Sequence, residues 1–258
     1  MKFDPVVSLR TINNERLRLS LGWGEYRDLG GALALTSDAA LHDLNRIESF
    51  TTDERRLDGL LDIGFALLRA FDCAPAVCVT PLDRPATLPL CLAKRGLSLL
   101  ETSVTMVFRG DADAIRTNPE VEVRHAAPDD AMAFRDVIAG PSNKWLRKLM
   151  LASTIESMQH AGHTFYIGST DGQPAGTLHL LIDHQTAGLY AVHTSKSQRK
   201  AGVASTLLAA AIADAQAAGC DVIGLRTAAD GDARRLFDAL GFEVAHENQL
   251  WVMPEAPG

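Results

Sequence analysis

Residues 121 to 253 alternate between the helical and the strand hydrophobic period, and that order constrains the fold more than any other feature of the chain. The run 121–124 reads as a short strand. A helix is expected over 128–139, opened by Pro128 and the acidic pair Asp129 and Asp130, because proline fits a first helical turn and carboxylates suit its positive end. In 144–160, Trp145, Leu149, Ala152, Ile155 and Met158 recur at helical spacing, which predicts a second amphipathic helix. Strand-like runs follow at 164–169, 175–182 and 188–193, the first two joined by the hairpin-type turn Asp171-Gly172. A long helix is then expected from about 202 to 218, ended by Gly219. A strand at 221–225, a helix at 232–240 ended by Gly241, and strands at 242–245 and 249–253 close the series. Helices and strands alternating on this scale predict an α/β fold built on a mixed sheet.

The first half contains a faint echo of the second. With Gly96 set over Gly241, an offset of 145, Val77 falls on Val222 and "GLSLL" on "GFEVA". The stretch 86–94 then falls on the helix expected at 232–240, with Pro89 tolerable only in a first turn, and the helical run 55–71 falls on the long helix. This predicts a structural repeat. The polar, turn-rich "RGDADAIRTNPE" (109–120) reads as a linker, so the boundary is placed near Asn118, giving units 1–118 and 119–258. A chain of 258 residues has room for two units of roughly 100–150 residues.

Charge and cysteine usage narrow the function. The formal net charge of −7 argues against a nucleic-acid partner, which would call for a basic face, and is compatible with a cationic or amine-bearing substrate. The start "MKFDPVVSLR" lacks the apolar core of a signal peptide, and no run approaches the ~18 apolar residues of a membrane span. No membrane partner and a cytoplasmic location are therefore expected. Cys73, Cys78, Cys91 and Cys220 form no CxxC pair and have no histidine cluster beside them, so they read as free thiols, with no metal site.

The chemistry concentrates at "SQRKAGVAST" (197–206), where the long helix begins. A helix start leaves backbone N–H groups without partners and carries partial positive charge. Arg199, Lys200, Gly202 and Ala204 there would make an anion cradle. The corresponding place in the first half holds Asp53, Glu54, Arg55 and Leu57, whose carboxylates cap a helix but repel an anion.

"RKAGVA" (199–204) resembles the R/Q-x-x-G-x-G/A signature of the GNAT acetyltransferase superfamily, and it opens a long helix after a strand as that signature does. "DARRLFDALGF" (232–242) resembles the superfamily's later segment A-x-x-L-Y-x-x-x-G-F, read from Ala233 to Phe242. The whole chain looks like a tandem GNAT protein. The resemblance implies two GNAT-like lobes, each a mixed, mostly antiparallel sheet flanked by helices, with a degenerate first lobe (1–118) lacking the pyrophosphate loop and an intact second (119–258). It implies acetyl-coenzyme A as cosubstrate, its pyrophosphate on Arg199, Lys200, Ala201, Gly202, Val203 and Ala204, and its pantetheine arm along Val192, His193 and Thr194 in "LYAVHT". A backbone N–H of that strand would polarise the thioester carbonyl.

The reaction implied is direct acetyl transfer to a primary amine of a small molecule or a protein. An amine must lose its proton before attack, and a positioned base contributes roughly 10²–10⁴-fold. His193 and Tyr190 are the leading candidates, with His179 and Asp183 behind them. The sequence departs from the family at Phe237, a cofactor contact by position, where many members place the tyrosine that protonates the departing thiolate, and at Asp230, where asparagine is common. A phenyl ring cannot donate a proton. Phe237 therefore keeps open a second reading, a sensory protein that binds acetyl-coenzyme A without turnover.

The first lobe is expected either to pack beside the second and shape the substrate cleft or to form a homodimer surface. Glycine-rich "SLGWGEYRDLGG" (20–31), with Trp23 and Tyr26, reads either as a loop closing over a ligand or as a surface turn. Acceptor specificity is expected in loops and in the 144–160 helix.

Overall fold

The computed structural model describes residues 3–139 and 144–254. The first half runs α1 (Pro5–Ser20), β1 (Glu25–Asp28), β2 (Leu33–Thr36), β3 (Arg46–Glu48), α2 (Glu54–Ala70), β4 (Ala76–Val79), α3 (Leu88–Lys94) and β5 (Ser98–Phe108). The second half runs β6 (Glu122–His125), α4 (Ala131–Ala139), α5 (Lys144–Ser157), β7 (His163–Thr170), β8 (Gln173–Asp183), β9 (Thr186–Thr194), α6 (Val203–Ala217), β10 (Val222–Ala228), α7 (Asp232–Ala239) and β11 (Phe242–Val252). Pro89 does lie in the first turn of α3. The strands expected at 242–245 and 249–253 are one strand, because a bulge between Val244 and His246 breaks the alternation without ending the pairing.

These strands form one continuous sheet of 11 strands in the order β1-β2-β3-β4-β11-β5-β10-β9-β8-β7-β6. All neighbours are antiparallel except β3 with β4 and β9 with β10, which are parallel. The two parallel pairs fall at matching places in the two halves, as the offset of the sequence echo requires. The sheets of the two halves are nevertheless fused. β5 pairs with β10 of the second half, β11 pairs with β4 of the first, and β5 and β11 pair with each other. Each half thus receives its last strand from the other, and neither half closes its sheet alone.

Helices cover both faces. On one, Leu207, Leu208, Ala211, Ile212 and Ala215 of α6 pack with Met106, Leu178, Leu180 and Leu225. On the other, Phe134 of α4 packs with Phe165 and Ile167 of β7. Each fully buried leucine of this kind contributes roughly 1.5–3 kcal/mol by leaving water. The first half has its own cluster, in which Leu57, Leu61, Phe65 and Leu68 of α2 meet Ile47 and Val77. The segment 109–120 is more than a tether: Ile115 is buried in the α6 cluster, and Asn118 bonds into the start of α6. All four cysteines are free. Among the described residues no helix is long and apolar enough to cross a membrane.

α1 is the element that joins this frame to the cleft. Asp4 caps it by accepting from the N–H groups of Val6 and Val7, and Pro5 opens it. It crosses from the first half to lie over β9 and β10.

Candidate functional site

β9 and β10 pair only through Thr186–Val222, Ala187–Ile223 and Gly188–Gly224. Beyond that point they part. β9 stays with β8 through Tyr190, His193 and Thr194, and β10 stays with β5 through Arg226, Thr227 and Ala228. The result is a wedge whose two walls present backbone N–H and C=O groups without a neighbouring strand. A bulge on β9 opens it further: the register jumps between Thr177 and His179, and Ala191 there has φ of +50°. Bulges of this kind re-aim a strand's side chains and amides. The Thr177 hydroxyl holds the bulge by donating to the Ala191 carbonyl at 3.1 Å.

The cradle stands at the open end of the wedge. Lys200 has φ of +66° and Gly202, the N-cap of α6, φ of +75°. A Cβ on Gly202 would lie 3.0 Å from the Asn118 Cβ. Left-handed backbone and close approach both require glycine there. No side chain caps α6, and its first backbone bond is Thr206 N–H to the Gly202 carbonyl, so the preceding N–H groups remain available. The helix α2 at the matching place differs as the sequence implied: the Asp53 carboxylate accepts from the N–H groups of Arg55 and Arg56. Asn118 fixes the loop by donating from Nδ2 to the Ala201 carbonyl at 2.9 Å and from its backbone N–H to Thr206 Oγ1 at 2.9 Å. The Thr194 hydroxyl oxygen is buried without a partner on β9. Open N–H groups, flanking Arg199 and Lys200, and an unpaired hydroxyl on the adjacent strand fit a phosphorylated ligand.

The cleft floor is polar and belongs largely to α1. Asn14 donates from Nδ2 to the carbonyls of Leu181 and Thr186, both at 3.3 Å, and accepts from the Tyr190 hydroxyl at 2.7 Å. A Cβ on Gly188 would fall 2.1 Å from Asn14 Oδ1, so glycine on β9 lets the helix settle. Glu15 Oε1 lies 3.1 Å from Arg226 Nη1 and 3.5 Å from Arg46 Nη2. Burial alone would raise the Glu15 pKa, but Arg226, Arg46 and Arg18 outweigh it and hold it at about 2. Arg46 is shared with buried Glu48 at 2.8 Å, which also accepts from the Tyr26 hydroxyl and pairs with Arg16.

Against this frame the sequence candidates divide. His193 is half-buried on the wedge wall, and burial, aided by Arg199, lowers its pKa, so its ring is neutral near pH 7. Tyr190 commits its proton to Asn14, and burial raises its pKa. His179 is buried against Phe165, ring centroids 4.2 Å apart, with Nε2 3.0 Å from His163 Nδ1. Asp183 sits at the far end of β8, 3.8 Å from exposed His184. Phe237 is a core residue, 5% exposed, with its ring 5.8 Å from that of Phe242. Val192 packs on the α6 side of the sheet, while Ala201, Val203 and Ala204 follow Arg199 and Lys200 around the loop into α6. Sequence reasoning missed Asn14, Glu15, Arg226 and Asn118. The one signal for the α1 pair was polar side chains at Thr11, Asn14, Glu15 and Arg18, on one face of a helix opened by Asp4 and Pro5.

A wedge between two parallel strands, with an uncapped helix start at its mouth, is the geometry that defines the site. The fold is shared with solved structures across nearly the whole chain. A GCN5-related N-acetyltransferase from Kribbella flavida is 16% identical, covers 97% of this chain and 95% of its own, and superposes with a TM-score of 0.72. One from Sphaerobacter thermophilus is 14% identical, over 95% of this chain and 87% of its own, with a TM-score of 0.68. A tandem GNAT protein from the clavulanic acid biosynthesis pathway is 14% identical, over 88% of this chain and 80% of its own, with a TM-score of 0.66. No curated protein matches the chain. Residues 131–242 match the sequence profile of the Acetyltransferase (GNAT) family, a family whose chemistry is acyl transfer from acetyl-coenzyme A.

Proposed function

We propose that the chain is an N-acetyltransferase that moves the acetyl group of acetyl-coenzyme A directly to a primary amine of a small molecule or a protein. The observation that carries this is the open wedge of β9 and β10 ending at the uncapped, glycine-started helix α6. In this reading the N–H groups from Arg199 to Ala204 bind the pyrophosphate, Arg199 and Lys200 add charge, and Val192, His193 and Thr194 border the pantetheine arm. Backbone N–H groups freed by the bulge at Ala191 polarise the thioester carbonyl, and His193, neutral near pH 7, takes the proton of the incoming amine. The buried position of Phe237 leaves the thiolate to be protonated by water. A thiol has a reference pKa of about 8.5, so it leaves without an acid far more readily than an alkoxide would.

The first half serves the second as a degenerate lobe. Its own strand-end cleft is stapled shut, since the Asp83 carboxylate accepts from the N–H groups of Phe50 at 2.6 Å and Thr80 at 2.5 Å. Its helix start is capped by Asp53, and its α1 floors the other cleft. Buried Phe237 also supports the second reading, a protein that binds acetyl-coenzyme A without turnover. Release of free coenzyme A thiol in the presence of an amine panel, with acetylated product identified by mass, separates the two. Amine-dependent release with a product 42 mass units heavier supports transfer, as expected for an acetyl group replacing one hydrogen (about 42 Da); binding with no product from any amine supports the sensory reading.

A further inference from the structure

α1 turns four polar side chains toward the cleft floor, and three of them are satisfied within the protein. The Thr11 hydroxyl donates to the Ser8 carbonyl, Asn14 holds Tyr190 and two carbonyls, and Glu15 is paired with Arg226 and Arg46. Arg18 is different. Among the described residues its guanidinium makes no ion pair and no hydrogen bond, and its Nε is buried without an acceptor. It lies 4.5 Å from the centroid of the Tyr190 ring and 6.0 Å from that of Trp23. The rings and the charge of Glu15 balance part of its charge, but the buried Nε–H is left without an acceptor. A guanidinium N–H kept out of water without an acceptor costs free energy, which an anion brought by a ligand would recover.

A second orphan stands nearby. His163 has Nε2 buried without a partner, while its Nδ1 faces His179. Burial, with His160 and Arg18 adding to it, lowers the His163 pKa to about 4, so the ring brings polar capacity and no competing positive charge. The carboxylates close to this corner are already committed, Glu15 to Arg226 and Arg46 and Glu48 to Arg46 and Arg16. Tyr190 stands on β9 two residues before Val192, on the stretch that borders the wedge. Trp23 lines an open groove of about 800 Å³ that also runs past Trp145 and Leu149 of α5, and the Arg18 guanidinium stands 6.0 Å from the Trp23 ring. The glycine-rich turn and the α5 helix, whose sequences carry no ligand signature, are brought together there.

The geometry points to Arg18 as the anchor for a carboxylate on the acceptor: the amine that this cleft acetylates is an amino acid or a similarly small amino carboxylate. This rests on the amine-acetylation reading above and deepens it. A carboxylate seated on the guanidinium fork makes two parallel charge-assisted bonds, and His163 Nε2 supplies a third polar contact. The acceptor's amine is then directed along β9 toward the thioester. Lysine at position 18 would keep charge but lose the fork.

The test compares matched pairs of acceptors that differ only in the carboxylate: L-lysine with cadaverine, L-ornithine with putrescine, and L-tyrosine with tyramine. For each, kcat/KM is measured with the wild-type protein, Arg18→Lys and Arg18→Met. The proposal predicts that the wild type prefers carboxylate-bearing members by about 10- to 100-fold, through KM. The ratio should fall toward one in Arg18→Met and to an intermediate value in Arg18→Lys. A purely structural role for Arg18 would instead lower both members of each pair together, and that result overturns the proposal. Equal wild-type use of both members, or transfer only to the decarboxylated amines, overturns it as well. Titration with acetyl-coenzyme A alone keeps the two levels apart: a wild-type protein that fails to bind it refutes the acetyltransferase reading, whereas one that binds it and acetylates no amino carboxylate refutes the Arg18 assignment. If Arg18→Met does not fold, the ratio in Arg18→Lys decides.

Discussion

Glu15 is the residue whose removal tests the packing account most sharply, because α1 reaches the cleft through it. Replacing it by glutamine keeps the volume and removes the charge that Arg226 and Arg46 share. The Glu15 pKa is about 2 in the fold against an ordinary value of 4.5, so its ionised form gains about 3 kcal/mol on folding. The neighbours give a similar figure. Arg46 would keep Glu48 at 2.8 Å, while Arg226 would keep only the Ser103 hydroxyl and Asp43 at 3.8 Å. Breaking a buried pair from one side costs roughly 3–5 kcal/mol, and this pair is partly compensated, which again places the loss near 3 kcal/mol. For a chain of this size that lowers Tm by roughly 6–12 °C, at ~2–4 °C per kcal/mol. The pH dependence has a definite sign. A depressed carboxylate pKa gives stability that is fully present above about 4.5 and is lost as pH falls toward 2. Urea unfolding of wild type and Glu15→Gln at pH 7 and pH 3 should therefore show a gap of about 3 kcal/mol that shrinks to less than half. A gap below about 1 kcal/mol at pH 7, or one that stays constant to pH 3, would refute the reasoning.

Two further substitutions separate the loop from the frame. Asn118→Ala removes the bond to the Ala201 carbonyl and should cost about 1–2 kcal/mol, with several-fold weaker acetyl-coenzyme A binding by calorimetry and little change in kcat. Asp53→Ala removes the cap of α2 and should cost about 1 kcal/mol in urea unfolding while leaving coenzyme affinity unaltered, since the proposed coenzyme site is the start of α6.

The parts of the fold that could be read from the sequence are those fixed by local pattern. The helix α6, its uncapped start and the capped start of α2 follow from residues within one turn of each other: Gly202 against Asp53. The echo between halves was legible for the same reason, since glycine stops and apolar spacing survive where identity does not. What was hidden is long-range. The exchange of β5 and β11 depends on which of two equally long strands each sheet edge accepts, and both are 11-residue strands. The cleft floor was hidden because hydrophobic periodicity passes over a helix whose inward face is Thr11, Asn14, Glu15 and Arg18. Their burial makes sense only beside Tyr190 and Arg226, whose partners lie more than 170 positions away. Phe237 was legible as a departure from the family, but only its packing against Phe242 shows the ring serving the core.

The most direct test of the account is calorimetric titration of acetyl-coenzyme A into the wild-type protein and into Gly202→Glu, with urea unfolding of both to confirm that the variant is folded. The account predicts saturable one-to-one binding by the wild type and none by the folded variant, whose carboxylate would stand among the N–H groups meant for phosphate. Binding of equal strength by both, or no binding by the wild type, would contradict the claim that the start of α6 is where the cosubstrate is held.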